Sequence, residues 1–328
     1  MHPIDFVVPW VDGSDPEWQE EFKKYNPDPD SCDARFERYR DWDLMRYWFR
    51  GVEKNAPWVN KIYFITWGHV PEWLNVNHPK LVIVKHEDYI PAEYLPTFSA
   101  NPIELNMHRI KGLSEHFVYF NDDFFLLNKT KPEDFFVNGF PCDMAVENPI
   151  SINDEVFAGI LMNNTSLINK HFNKKFVISS NKSKWFSVKY GLHLLRTLLM
   201  SFWSCFVGLQ YQHISQPFLK STLFEVWKNN ENFLNDVCKN KFRSRSDVNQ
   251  YLFKNWQLCS GKFYPFNPFK LGRSFLVSDP KLSGIVRNTE LKIICLNDDS
   301  VNDDRFMTIK ESLIESFESR TIKSSFEL

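Results

Sequence analysis

Four short apolar runs in the first 120 residues constrain the fold more than any other feature: IDFVVPWV at 4–11, KIYFITW at 61–67, KLVIVKH at 80–86 and FVYF at 117–120. The second and third are apolar almost throughout instead of alternating, the pattern of strands covered on both faces of a parallel sheet. The stretches between them read as crossover helices. DGSDPEW at 12–18 offers Gly13 for a bend and Ser14 or Asp15 to cap a helix that Pro16 starts. After a polar, Pro- and Asp-rich link at 26–33, the segment 34–57 has helical patterning ended by Gly51 and Pro57, with Asp43 and Arg46 three apart on one face. Residues 99–115 read as a further helix with Pro102 near its start, on which Glu104 and His108, four apart, share a face and reach one pocket. Strand, helix, strand, strand predicts an α/β fold: a mostly parallel central sheet with flanking helices.

The pattern loosens after about residue 128, so the sequence predicts a catalytic core of 1–138 and 255–304, a mainly helical, basic insertion or lid at 139–254, and a closing amphipathic helix at 305–328. Positive charge gathers at 169–176, 181–185 and 238–247. A solvated basic face and a binding surface for phosphate or an anionic polymer both account for it. The run LHLLRTLLMSFWSCFVGL, 192–209, is short of the roughly 20 apolar residues that span a bilayer. It reads as a buried helix or, alternatively, as one resting on a membrane surface or a lipid-linked substrate. A net charge of −2 and a pI near 6.5 give no overall pull toward nucleic acid. Six cysteines without a CxxC pair, and no leader ahead of the strand at Ile4, point to a reducing, cytoplasmic setting.

The polar residues that interrupt the apolar runs carry the chemistry. Asn121, Asp122 and Asp123 follow directly on the strand at 117–120, and Asn297, Asp298 and Asp299 follow on LKIICL, 291–296, in the same way. Burying paired carboxylates is costly unless a cation or donors meet them, and ligands of α/β proteins collect beyond the carboxyl ends of strands. A tight turn capped by Asn121 or Asp122 is one reading. The other is a site for magnesium or manganese beside a diphosphate, built on Asp122 and Asp123 with Asp12 near it or holding the nucleotide.

Several stretches together resemble the Stealth family of sugar-phosphate transferases, which includes bacterial capsular polysaccharide phosphotransferases and the lysosomal-enzyme GlcNAc-1-phosphotransferase. They are IDFVVPWVDGSDPEW at 4–18, residues 38–68, PEWL at 71–74, LPTFSANPIELNMHRIKGLSEHFVYFNDDFFL at 95–126, HISQPFLKS at 213–221, FRSRSDVNQYL at 242–252 and CLNDD at 295–299. One departure is Trp42–Asp43, standing where the family usually shows an acidic pair, so position 42 supplies no carboxylate here.

The resemblance implies a nucleotide-sugar-transferase-like core and a divalent metal. The donor would be a nucleotide sugar, commonly UDP-linked N-acetylhexosamine. The acceptor would be a glycan hydroxyl, with a lipid-linked form and peripheral membrane contact open, and the products a phosphodiester and UMP. Such chemistry needs a proton acceptor and charge compensation. His108, oriented by Glu104, is the favoured base because its ordinary pKa near 6.5 suits the task, with His213 as the rival. Arg46, its fork fixed by Asp43, is expected to grip phosphate. Gly13, Asn121 and Arg243 join the donor-binding set.

Overall fold

The computed structural model describes residues 2–25, 39–151, 153, 155–299 and 301–328. The polar link expected at 26–33 and the first residues of the helix expected at 34–57 lie outside them. Strands β1 (Ile4–Pro9), β2 (Ile62–Thr66), β3 (Leu81–Lys85) and β4 (His116–Tyr119) form the parallel part of a five-stranded sheet in the order β3-β2-β1-β4, with Phe6 opposite Ile62 and Val118. Alternation along the strands divides the side chains between two cores. Phe6, Val8, Phe64 and Val118 enter one core, with the helix Met45–Asn55 and the closing helix Asp303–Glu318; Val7, Ile65, Phe117 and Tyr119 enter the other, with the helices Lys220–Cys238 and Tyr251–Cys259. The result is a layer of helices on each face.

After Tyr119 the chain leaves this sheet. Strand β5 (Phe124–Leu126) belongs to a second sheet, so Asn121, Asp122 and Asp123 occupy the seam between the two. A small hairpin follows, β6 (Phe136–Val137) with β7 (Phe140–Asp143). Strand β8 (Gln216–Leu219) comes from inside the stretch expected to be a separate lobe, yet it pairs antiparallel with β4 and completes the central sheet. The helices of 139–254 are therefore tied into the core by a strand, and the expected boundary at 254 does not separate them from it. Strand β9 (Tyr264–Pro265) pairs with β7, and β10 (Gly272–Leu276) pairs parallel with β11 (Ile293–Asn297), which runs antiparallel to β5. The amide of Leu296 donates to the carbonyl of Asp123 at 3.0 Å, so both NDD motifs meet at the same seam.

Three expectations need correcting. Among the described residues the helix expected over 34–57 is Met45–Asn55, and it runs through Gly51, where a Cβ would sit 2.6 Å from the carbonyl oxygen of Leu126 on β5, so glycine serves close packing and does not end the helix. The helix expected over 99–115 ends at Leu105, and a 3-10 turn, Met107–Arg109, follows. Residues 192–209 do not form a buried helix: they contribute the end of a 3-10 segment, the short helix Leu194–Met200 and then turns, with Leu192, Leu199 and Phe202 exposed. Among the described residues no helix is long and apolar enough to cross a membrane.

Candidate active site

A cavity of about 590 Å³ opens at the seam between the sheets. Its lining includes Glu104, Asn121, Asp122, Asp123, His213, Arg243, Asn297 and Asp298, so most of the residues expected to carry chemistry converge there although they are spread over almost 200 positions.

The carboxylates form a connected series. Burial is the main cause that raises the pKa of Asp41, and Asp43 and Asp12 add smaller like-charge contributions. Desolvation in the recess likewise raises Asp122, with the charge of Asp41 next, and raises Asp123, with the charge of Asp122 next. Asp123 Oδ2 accepts from Cys295 Sγ at 3.4 Å, while its Oδ1 is buried with no hydrogen-bond partner among the described residues. A buried carboxylate oxygen without a donor is costly; a bound cation would satisfy it. Asp123, His213 and Cys295 each bring a ligating atom within 4.8 Å of the others.

His213 lies in the loop ahead of β8. Its imidazole is 3.5 Å from Asn121 Nδ2 and 3.6 Å from Cys295 Sγ, with the ring of Phe124 edge-on at 5.1 Å. Burial first, and then the positive charge of Arg243, lower its pKa to about 4. The same Arg243 acts on Glu104, which accepts from Tyr119 Oη at 3.0 Å and from the Gln250 amide at 3.1 Å. Burial nevertheless pushes Glu104 up to about 7. An imidazole whose pKa burial lowers, a carboxyl whose pKa burial raises and a guanidinium thus face one space, whose lining is also aromatic: Tyr211 and Tyr251 lie 5.1 Å apart, with Phe157 5.7 Å from Tyr211.

His108 is not in this space. Helix ends at Leu105 and the 3-10 turn rotates His108 off the face of Glu104, so four-residue spacing no longer aligns them. Its ring packs against Phe224 at 4.8 Å and Trp227 at 5.5 Å, and burial with the neighbouring Arg109 lowers its pKa to about 3. Asp43 and Arg46 also lie outside the cavity lining. Asp43 precedes the helix with φ 58°, and its carboxylate stands 3.8 Å from Arg46 and 3.9 Å from Lys310, while Arg46 lies over the ring of Trp73. Asp12 is occupied locally, accepting from the amide and hydroxyl of Ser14. Asp299 accepts from the amide and hydroxyl of Ser278 and is a turn residue.

Asp41 was missed by sequence reasoning. The signal was available in Asp41-Trp42-Asp43, a carboxylate pair one position displaced from the family pattern. The amide of Asp43 donates to Asp41 Oδ1 at 2.7 Å and the Trp42 indole donates to Asp298 Oδ2 at 3.1 Å, which joins this loop to the second NDD motif. Gly13 serves the same loop. A Cβ at Gly13 would lie 2.0 Å from the carbonyl oxygen of Tyr39, so glycine is required there for close approach, and Gly13 itself does not line the cavity. Gly13→Ala is expected to push the Tyr39–Asp43 loop off the cavity and lower activity about tenfold or more; wild-type activity with an unchanged melting temperature would refute this role.

Two family models match, "Stealth protein CR1, conserved region 1" over residues 2–29 and "Stealth protein CR2, conserved region 2" over 38–142. A capsular polysaccharide phosphotransferase WcwK of Streptococcus pneumoniae is 45% identical over 334 residues, covering 100% of this chain and 98% of the relative. A receptor polysaccharide phosphotransferase WefC of Streptococcus gordonii is 40% identical over 335 residues, covering 100% of both. Among solved structures, the galactosyltransferase LgtC in complex with donor and acceptor sugar analogs aligns over 98% of each chain with a TM-score of 0.42 and 10% identity, a likeness too distant to bear on the site.

Proposed function

This chain belongs to the Stealth family, and from that premise we propose that it transfers a sugar-1-phosphate from a nucleotide sugar to a hydroxyl of a glycan in the synthesis of a capsular or other cell-surface polysaccharide. The observation that carries the reading is the convergence of Asp122, Asp123, His213 and Arg243 on one cavity. The donor we infer is a UDP-linked N-acetylhexosamine, and the setting is the cytoplasmic side of the membrane; the five described cysteines are free thiols.

In the proposed step the acceptor oxygen attacks the sugar-linked phosphorus, the bond from that phosphorus to the bridging diphosphate oxygen breaks, and UMP leaves. The hydroxyl proton goes to His213, which its low pKa keeps neutral before the donor arrives. An anionic phosphate beside the imidazole raises its basicity when proton transfer is needed. Arg243, whose charge already reaches His213 and Glu104, holds the diphosphate. The aromatic wall of Tyr211, Tyr251 and Phe157 offers apolar faces to a sugar ring.

The residues present fit a hard divalent cation. Asp123 presents an unpartnered oxygen, Asp122 stands beside it, and Asp41, in place of the expected Asp12, is the further carboxylate whose charge acts on Asp122. Magnesium or manganese bound there would neutralise diphosphate charge. These ions take oxygen ligands, which leaves the His213 imidazole available for the proton. Accordingly, Asp123→Asn should abolish Mn²⁺ binding measured by calorimetry, whereas Cys295→Ser should retain it. Loss of binding in the cysteine variant would move the ion to the Asp123, His213 and Cys295 cluster.

Arg243→Lys is expected to raise KM for the donor about tenfold with a smaller fall in kcat; an unchanged KM would exclude Arg243 from the donor. The reading as a whole is tested by identifying the nucleotide released with a panel of sugar nucleotides and a glycan acceptor. UMP supports it. UDP would instead indicate an ordinary glycosyltransferase that attacks the anomeric carbon.

A further inference from the structure

The short helix Leu194–Met200 turns most of its apolar side chains outward. Leu195, Leu198 and Leu199 are each more than half exposed, and Leu192 just before the helix and Phe202 just after it are 85% and 89% exposed. The helix is held from its inward side: Leu194 packs against a buried core, Thr197 is buried and its hydroxyl accepts from the amide of Glu147 at 3.2 Å, and buried Lys174 donates to the carbonyl of Met200 at 2.6 Å. At the surface Arg196 donates to Asn148 Oδ1 at 2.6 Å and Gln210 Oε1 at 2.7 Å. These bonds fix the helix with its apolar stripe in solvent, together with the exposed side chains of Phe176 and Val188. An exposed apolar patch of this kind marks a surface for another molecule or a membrane.

Charge identifies the occupant. Between Glu155 and Glu225 there is no acidic residue and there are eight Lys or Arg, although the whole chain carries a net charge of −2. Lys175, Lys182 and Lys189 are exposed in the segment that leads into the helix. Apolar side chains that can enter the headgroup boundary, framed by cations and free of carboxylates, match an anionic lipid surface. A protein partner would have to satisfy the same one-signed field over a stripe with no built pocket.

The helix is also tied to a cavity that neighbours the reaction cavity. A second cavity, about 260 Å³, is lined by Asn148, the residue that Arg196 holds, and by Phe157, Tyr211 and Tyr251, which line the larger cavity too. We propose that the face formed by residues 176–203 docks on an anionic membrane surface, so that a glycan carried on a lipid in that leaflet reaches the reaction cavity past Phe157, Tyr211 and Tyr251. The membrane contact stands independently of the sugar-phosphate reading; the path of the acceptor rests on it.

Co-sedimentation of the full chain with phosphatidylglycerol-rich vesicles and with phosphatidylcholine-only vesicles tests this. The expected result is partition into the anionic vesicles alone, weakened by high salt, and reduced about tenfold or more in the double variant Leu199→Ser/Phe202→Ser. A second variant, Lys175→Gln/Lys182→Gln, should lose affinity for anionic vesicles with no change in melting temperature. Both variants should transfer normally to a soluble glycan, which separates failure of docking from failure of the proposed reaction. Equal partition of wild type and both variants, or no partition at all, would overturn the proposal. So would self-association of the wild type in light scattering that the Leu199→Ser/Phe202→Ser variant abolishes, since that assigns the stripe to a second copy.

Discussion

Asp123→Asn is expected to reduce transfer by roughly a thousandfold or more while raising the melting temperature of the metal-free protein. Both effects have one cause. Recess burial and the neighbouring Asp122 hold the Asp123 carboxyl above its ordinary range, and the same burial with Asp41 raises Asp122. A carboxyl whose folded pKa lies above its unfolded value near 4 binds more protons folded than unfolded. Its contribution to stability is therefore complete below the unfolded value and is lost as pH rises through the raised folded values. The metal-free wild type should accordingly become less stable from about pH 4 upward through neutrality, and the asparagine variant should show a shallower slope because its amide cannot ionise. Added Mg²⁺ or Mn²⁺ should restore the melting temperature of the wild type at neutral pH and leave the variant unchanged. Melting curves across pH, with and without metal, read all of this without an activity assay. An asparagine variant that is less stable than the wild type at neutral pH would mean that Asp123 is a satisfied structural group.

The second large effect separates the two histidines. His213→Gln should lower kcat about a hundred- to ten-thousandfold, the usual contribution of a general base, with donor KM changed only a few-fold. His108→Ala should leave kcat near wild type and instead lower stability by about 2 kcal/mol, the cost of emptying a buried ring site. His108 fills the space against Phe224 and Trp227 and has no access to the cavity, whereas His213 faces Asn121 and Arg243 across it. Steady-state kinetics and denaturant unfolding on the same two preparations decide the matter. Normal turnover in His213→Gln would remove the base from this position and leave Glu104, held near neutrality by burial, as the group to test next.

The strands and the residues at their ends were legible because short apolar runs and the polar triplets that stop them are local features. The apolar character of both Phe6 and Val7 matches a strand covered on both faces, and Asp122 and Asp123 are placed at the site by the strand that delivers them. What the sequence did not reveal depended on where helices stop. Glu104 and His108 share a face only in a continuous helix; Asn106 caps it instead, and the two side chains diverge. Asp43 was assigned to a helix that begins two residues later, and a left-handed backbone at Asp43 turns Asp41 toward the cavity in its place. The strand Gln216–Leu219 was hidden inside a stretch of helical patterning because it is four residues long and contains Pro217, which is tolerated at the sheet edge it occupies. The stripe at 192–203 misled in another way: its apolar content is that of a buried helix, and only the packing of Leu194 and the bonds of Thr197 and Lys174 show which side faces in.

The central claim, that phosphorus travels with the sugar, is tested most directly by following the phosphorus. A UDP-sugar labelled with ³²P in the phosphate next to the sugar is incubated with the protein, manganese and the glycan acceptor, and the glycan is then treated with phosphatase. The account predicts that label enters the glycan and resists phosphatase, as a phosphodiester does, with none remaining on the released nucleotide. Sugar entering the glycan while all the label stays with the nucleotide would contradict it.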